Sequence, residues 1–212
     1  MGKGSTLNDD HFELLNSAHS SSQKLLALVS DFLDLSKYEA GTISFEKGPL
    51  PISRFVDPVV RQMDIQFKQR NVTLVKNIPE GLPSVHVDAS KTEQVVMNFL
   101  SNALKFSKSG GSVTLSASIY EPEPGSVVAG SPRRFVRVSV TDNGVGIAKE
   151  ELPLLFERYR QVSSAKVAKQ KGTGLGLVIC KLVVEAQKGT VSAESEPGKQ
   201  TTFSFTLPVA EA

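Results

Sequence analysis

The spacing of apolar residues divides the chain into one long helix and a following region of mixed helices and strands. Between Asn8 and Tyr38 there is no Gly or Pro, and apolar residues recur every three or four positions, as on one face of an α-helix. Asn8 or Asp9 can cap its start, and Gly41 ends it. Because this apolar face is too wide for one helix to bury alone, we expect the helix to dimerise, exchange between chains or fray.

The region after Gly41 alternates between helical and strand patterns. Thr42 to Ile52 is predicted to be extended. The predicted helices are 53–70, 89–107, 149–159 and 174–188, and the predicted strands are 72–76, 85–87, 112–120, 135–141, 190–194 and 201–207. Residues 121–134, rich in Pro, Gly, Ser and Ala, are predicted to extend a hairpin into solvent. This order predicts an α/β (α+β) two-layer sandwich in which one mixed sheet packs on three helices.

Composition excludes several classes of protein. With 212 residues and 40% hydrophobic residues, the chain can bury a core. A net charge of +2 is not the strongly basic balance of a nucleic-acid-binding domain. The single cysteine, Cys180, excludes a disulfide framework and is expected to be buried in its apolar segment. No apolar run reaches the roughly 18 residues of a membrane span, and residues 1–6 are expected to be a cloning remnant or a disordered tail.

Three polar side chains share one face of the helix predicted over 89–107. Asn98, Asn102 and Lys105 follow each other at spacings of four and three, within a largely apolar segment. The carboxamide oxygen of Asn is a hard, neutral ligand that suits Mg²⁺. The ammonium group of Lys suits phosphate. A solvent-facing polar stripe is the alternative interpretation.

A second candidate segment follows the strand predicted over 135–141 and reads Asp142-Asn-Gly144-Val-Gly146-Ile147. Its two glycines allow the backbone to pass close to a flat ligand. A carboxylate at this point can accept a hydrogen bond from the exocyclic amino group of adenine, and it would repel the carbonyl oxygen of guanine. An ordinary Asp-Asn-Gly turn is the alternative.

A third candidate segment opens the helix predicted over 174–188 and reads Gly172-Thr173-Gly174-Leu175-Gly176-Leu177. Amide N–H groups at a helix N-terminus bind phosphate, and glycines allow the phosphate to approach closely. The spacing is neither the Rossmann fingerprint nor a Walker loop. The lysines just upstream are either additional phosphate contacts or a solvated loop: Lys166, Lys169 and Lys171.

Together and in this order, the three segments resemble the sequence boxes of the Bergerat-type ATPases and kinases, and within them the sensor histidine kinases of two-component systems. The first candidate segment is similar to the N box, and the other two to the first and second glycine boxes. Phe156–Tyr159 resembles the F box. Gly198–Phe203 resembles the last glycine box, with Gln200 where the family usually has Gly. Val29–Gly41 is similar to the end of the dimerisation hairpin.

The resemblance implies a role for each candidate residue. Asn102 would coordinate Mg²⁺ with Asn98 beside it, and Lys105 would contact phosphate. Asp142 would bind the adenine amino group, and Thr201 would lie near the adenine. A mobile lid would run from about 149 to 171. The other residues implied to line the ATP site are Gly144, Gly146, Ile147, Phe156, Tyr159, Lys171, Gly172, Thr173, Gly174, Leu175, Gly176 and Leu177.

The resemblance also implies an organisation and an activity. Residues 7–41 would be the second helix of a dimerisation hairpin whose first helix is absent, and residues 42–209 the ATP-binding catalytic domain. None of His11, His19 and His86 matches the phosphoacceptor histidine. The chain would therefore transfer the γ-phosphate of ATP to a His outside itself and would not phosphorylate itself. The implied partners are a phosphoacceptor helix, a response-regulator receiver domain and a second copy in a homodimeric parent protein. The domain is expected to be cytoplasmic.

Three other functions share features with this sequence. An ATP-hydrolysing clamp of the same superfamily uses a Glu, four residues before the Mg²⁺-binding Asn, to activate water. Asn98 occupies that position and cannot take up a proton. The long apolar helix argues against a short serine kinase of the same fold. A nucleotide-sensing dimerisation scaffold without turnover stays open.

Overall fold

The computed structural model describes residues 9–122, 134–158, 160 and 174–210. The chain forms two compact units, Met1–Ile43 and Ser44–Ala212. The first unit contains α1 (Asp9–Glu39), a helix of 31 residues that confirms the long helix predicted from the apolar spacing. Much of its apolar surface is exposed, by 40% to 70% of each side chain at the following residues: Phe12, Leu14, Leu15, Leu25, Leu26, Leu28, Val29, Phe32 and Leu33.

The second unit contains the mixed helices and strands. Its helices are α2 (Ser53–Gln69), α3 (Ala89–Phe106) and α4 (Gly176–Ala186). Its strands are β1 (Gly48–Leu50), β2 (Thr73–Asn77), β3 (Val85–Val87), β4 (Ser112–Tyr120), β5 (Phe135–Asp142), β6 (Val191–Glu196) and β7 (Gln200–Pro208). Most predicted elements are therefore confirmed to within a few residues at each end.

The main sheet has five strands in the order β2-β4-β5-β7-β6. It is mixed, as predicted, because β2 pairs with β4 in parallel while the other neighbours are antiparallel. The prediction of one sheet was incomplete, since β1 and β3 form a separate antiparallel pair. Pro49 lies within β1 and Pro51 directly follows it. Proline lacks the N–H group that extends a ladder, which keeps this sheet small.

In the described part of the second unit, the helices α2, α3 and α4 pack on the main sheet, so the two-layer prediction is confirmed. α3 is central: it packs against α2, α4, β4 and β5. The ring of Phe99 lies at its core, with its centroid 5.4 Å from that of Phe203 and 5.7 Å from that of Phe205. Because this buried aromatic cluster fixes α3 against the middle of the sheet, the polar side chains of α3 have defined positions.

The predicted helix over 149–159 is wrong. Among the described residues 149–158 the structure has one 3₁₀ turn, Leu152–Leu154, and no α-helix. Two features account for the difference. Pro153 cannot donate a helical backbone hydrogen bond, and none of residues 149–158 is buried. The helix α2 also contains a proline, Pro58, but it buries five apolar residues. The hairpin between β4 and β5 is paired up to Tyr120 and Phe135, and residues 123–133 of the predicted extension lie outside the described part of the chain.

Candidate nucleotide-binding site

The two asparagines of α3 are linked to each other. The Nδ2 group of Asn102 donates a hydrogen bond of 2.9 Å to Oδ1 of Asn98, and both side chains are half-buried. Because this bond uses the amide nitrogen of Asn102, a cation would bind through its carboxamide oxygen. The described residues contain no group of three His, Cys, Asp or Glu that could hold a metal ion. The carboxamide oxygen of Asn102 is a hard ligand of the kind that suits Mg²⁺, which binds few protein oxygens and completes its shell with phosphate oxygens and water.

Lys105 lies one turn beyond Asn102 on α3 and is half-buried. Its ammonium nitrogen is 4.9 Å from the ring centroid of Phe106. Partial burial lowers the pKa of Lys105 below its ordinary value, because desolvation disfavours the charged form. A bound phosphate would restore the missing stabilisation of this charge, so the site suits an anion.

Asp142 is the last residue of β5 and is only 3% exposed. Burial raises the pKa of its carboxyl group to about 6, while a hydrogen bond from the backbone N–H of Gly144 (2.9 Å) opposes the rise. The group is therefore mainly ionised at neutral pH and acts only as a hydrogen-bond acceptor. A buried acceptor of this kind favours a ligand that offers a donor, such as an amino group.

Glycines bring the three candidate segments together. A Cβ at Gly144 would overlap the carbonyl oxygen of Phe106, at the end of α3, and a Cβ at Gly176 would overlap Nδ2 of Asn98. Both glycine segments therefore touch the helix that carries the asparagines. No other residue fits at these two positions without displacing its neighbour.

Gly146 joins the segment after Asp142 to the turn between β6 and β7. Its φ of +68° lies in the left-handed region, and a Cβ there would be 2.5 Å from the carbonyl oxygen of Glu196. The N–H of Gly198 in that turn donates to the carbonyl of Val145 at 2.8 Å. The turn that resembles the last glycine box is therefore held against the segment that follows Asp142, which resembles the first glycine box.

Thr201 lies directly opposite Asp142 in the register of β5 and β7 and is 4% exposed. Sequence reasoning missed its other neighbour, Ser195 on β6, which is paired with Thr201. Ser195 accepts a 2.8 Å hydrogen bond from the N–H of Ile147. Its only sequence signal was a place in an alternating strand, which does not distinguish it from any other serine.

The remaining candidate residues of the ATP site lie at the start of α4, just after the 3₁₀ turn, or outside the described part of the chain. Gly174, Leu175 and Leu177 lie at the start of α4, where Leu175 is buried and Gly174 has a φ of +74°. Phe156 is half-buried just after the 3₁₀ turn. Six predicted phosphate or lid residues lie outside the described part of the chain: Tyr159, Lys166, Lys169, Lys171, Gly172 and Thr173.

The residues assigned no chemistry are placed as expected. Cys180 is buried in α4, and His11, His19 and His86 are exposed. None of the described helices is long and apolar enough to cross a membrane.

The sequence of the second unit matches a family of known ATPases. Residues 87–211 fit the family model described as "Histidine kinase-, DNA gyrase B-, and HSP90-like ATPase", and the chain belongs to this family. It is 36% identical over 189 residues to "Sensor histidine kinase WalK" of Bacillus subtilis (89% of this chain, 29% of the relative). It is 38% identical over 191 residues to "Non-motile and phage-resistance protein" of Caulobacter vibrioides (90% of this chain, 22% of the relative).

A solved structure agrees in fold. "ShkA full-length in complex with AMPPNP" superimposes with a TM-score of 0.76 at 26% identity, over 99% of this chain and 42% of that one. The chain spans less than a third of the length of the two curated relatives. These matches confirm the predicted Bergerat-type fold, and the chain carries the ATP-binding catalytic domain of a sensor histidine kinase.

Proposed function

We propose that this chain transfers the γ-phosphate of ATP to a histidine that lies outside it, as the catalytic part of a longer protein-histidine kinase. The meeting of α3 with both glycine segments, through Phe106 and Asn98, carries this proposal. It supports a site with a base-binding acceptor, Asp142, at one end and a polar face of α3 at the other. The complex of ShkA with AMPPNP supports an adenine nucleotide as the ligand.

The phosphate end of the site is assigned to α3 and the start of α4. Asn102, oriented by Asn98, would hold Mg²⁺, which when bound neutralises phosphate charge. Lys105 would bind a phosphate oxygen, and the first backbone N–H groups of α4 would bind another through the opening at Gly176. Phe156, Tyr159 and Lys171–Thr173 are proposed to form the lid and its anchor. These groups position and neutralise the triphosphate, which is the main protein contribution to phosphoryl transfer.

The base end is assigned to Asp142, with Gly144, Gly146 and Ile147 lining the pocket and Thr201 beside it. The ionised carboxylate of Asp142 would accept a hydrogen bond from the amino group of adenine. A carbonyl oxygen at the same position would face a buried negative charge, which is strongly unfavourable. The site would therefore prefer adenine to guanine.

The exposed apolar face of α1 is the basis for the proposed protein partners. Residues 7–41 are proposed to be the second helix of a dimerisation hairpin, and the exposed apolar residues of α1 support a helical partner. A homodimeric parent protein with a first hairpin helix would bury this face and present the phosphoacceptor histidine. A response-regulator receiver domain would then accept the phosphoryl group. Asn98 in place of a general base argues against an ATP-hydrolysing clamp.

The metal assignment is tested by calorimetric titration with ATP, in the presence of Mg²⁺ and in the presence of a chelator. The wild-type chain is expected to bind ATP more tightly with Mg²⁺, and Asn102→Ala is expected to lose most of that difference. Ser101→Ala, which changes the exposed neighbouring residue, is the matched control and should behave as wild type. A full Mg²⁺ effect in Asn102→Ala would refute the assignment of this residue.

The direction of transfer is tested with radiolabelled ATP and a separately supplied dimerisation hairpin from a related kinase. Label is expected on the histidine of the hairpin and not on this chain. Acid-labile label on this chain alone would contradict the proposal, as would the absence of any label on the hairpin despite ATP binding.

A further inference from the structure

Three side chains form one row across the end of the main sheet. Asp142 on β5 is the direct partner of Thr201 on β7, and Thr201 is the direct partner of Ser195 on β6. Directly paired residues lie on the same face of a sheet, and Asp142 belongs to the buried face. The row therefore continues from the proposed base-binding carboxylate to a serine that has no assigned function.

The hydroxyl of Ser195 has three hydrogen-bonding neighbours, which is as many as one hydroxyl can serve. It accepts from the N–H of Ile147 at 2.8 Å, donates to the carbonyl oxygen of Gln200 at 2.8 Å and lies 2.9 Å from Oγ1 of Thr201. A hydroxyl has one proton and two lone pairs. Ser195 donates its proton in the hydrogen bond to the carbonyl oxygen of Gln200, and one of its lone pairs accepts from the N–H of Ile147. In the third hydrogen bond, Thr201 must therefore be the donor and Ser195 the acceptor.

This count fixes the hydrogen-bonding character of Thr201. Once its proton is directed to Ser195, Thr201 has only lone pairs left for any further partner. Asp142, its neighbour in the row, is also an acceptor when ionised. The base end of the site therefore presents two acceptors side by side and no donor from these two residues.

We propose that Ser195 is a specificity-determining positioning residue of the ATP site. It accepts the hydrogen bond that Thr201 donates, so that Thr201 can only accept from a nucleotide base and favours a base that offers an amino group. This inference rests on the proposed function, because it requires the base to bind at Asp142. Ser195 acts through Thr201 and does not itself touch the nucleotide.

Ser195 can be changed without opening the site. The loop that carries Ile147 is also held by the hydrogen bond from Gly198 to Val145, and Gly146 packs tightly against the same turn. Removal of one hydroxyl should thus free the proton of Thr201 while the loop stays in place. Thr201 could then donate to a carbonyl oxygen, which the wild-type arrangement prevents.

The test compares the affinities of ATP and inosine triphosphate by calorimetry on the full chain. Inosine replaces the amino group of adenine with a carbonyl oxygen, carries a proton on N1 where adenine has a lone pair, and has no other exocyclic group. Both differences are the same for wild type and variants, so a change in the affinity ratio reports on the protein. Ser195→Ala is expected to lower the ATP-to-ITP affinity ratio about tenfold, the value of about one hydrogen bond. Ser195→Thr keeps a hydroxyl and should retain the wild-type ratio, as should Ser192→Ala, an exposed serine on the same strand.

The outcomes separate this inference from the proposed function. If the wild-type chain does not bind ATP, the proposed function fails and this inference fails with it. If the wild type binds ATP and Ser195→Ala keeps the wild-type ratio, only the role of Ser195 is overturned. An equal fall in Ser192→Ala would also overturn it. If Ser195→Ala melts at assay temperature, Ser195→Cys fills the same space with a weak donor and acceptor, and the same fall is expected.

Discussion

The ATP affinity of this chain should follow the ionisation of Asp142. Burial raises the pKa of this carboxyl group from 3.8 to about 6. If only the ionised form binds the adenine amino group, the apparent affinity is proportional to the ionised fraction of Asp142. At pH 8 nearly all of Asp142 is ionised. At pH 5, one unit below the pKa, only about a tenth is ionised, and the affinity should fall about tenfold.

The same pKa has an opposite effect on stability. Because the pKa of folded Asp142 is above its ordinary value of 3.8, the folded chain holds this proton more tightly than the unfolded chain. The contribution of Asp142 to the free energy of unfolding is therefore largest below pH 4 and is lost as the pH rises through about 6. Asp142→Asn, which carries no charge, should be more stable than wild type at pH 8, and the advantage should disappear in acid.

Both effects are measured on the same two proteins. ATP titrations between pH 5 and pH 8 give the affinities, and urea unfolding over the same range gives the stabilities. ATP itself titrates in this window, and an acid–base titration of ATP alone over the same pH range provides the correction. A corrected wild-type affinity that does not change between pH 5 and pH 8 would refute the role of the Asp142 carboxylate.

Three further predictions concern other parts of the chain. Gly176→Ala should push Asn98 out of position and weaken Mg²⁺-ATP binding in a titration; unchanged affinity would show that this contact is not needed. Asp88→Ala should cost about 2–3 kcal/mol in urea unfolding, because the carboxylate caps α3 and also accepts from the N–H of Glu46; a loss below about 0.5 kcal/mol would contradict this. The chain should associate through α1 in sedimentation experiments. Leu26 is 70% exposed on this helix, so Leu26→Glu should weaken the association. A monomer whose α1 amides are fully protected from hydrogen exchange would contradict a role of α1 in dimerisation.

Local patterns predicted most of the fold. The apolar spacing of α3 placed its buried face correctly, because the period of a helix determines which side chains share a face. The spacing of four between Asn98 and Asn102 likewise predicted that they lie together, and they are hydrogen bonded. The helix predicted over 149–159 does not form, because Pro153 lacks the N–H group that a helix needs and the described residues of this segment bury no side chain.

Contacts between distant segments could not be predicted in this way. Gly176 touches Asn98 across 78 positions of the chain, and nothing local to either residue indicates the other. Ser195 looks like any strand serine until the register of β6 and β7 pairs it with Thr201. Such neighbours depend on strand order, which the resemblance to the kinase family implied only in outline.

The most direct test of the nucleotide site is a calorimetric titration of the full chain with ATP and with GTP, in Mg²⁺, alongside Asp142→Asn. Assignment of the base end to Asp142 predicts saturable binding of ATP, much weaker binding of GTP and a large loss of ATP affinity in the variant. Equal binding of ATP and GTP, or ATP binding that Asp142→Asn leaves unchanged, would show that the base is bound elsewhere.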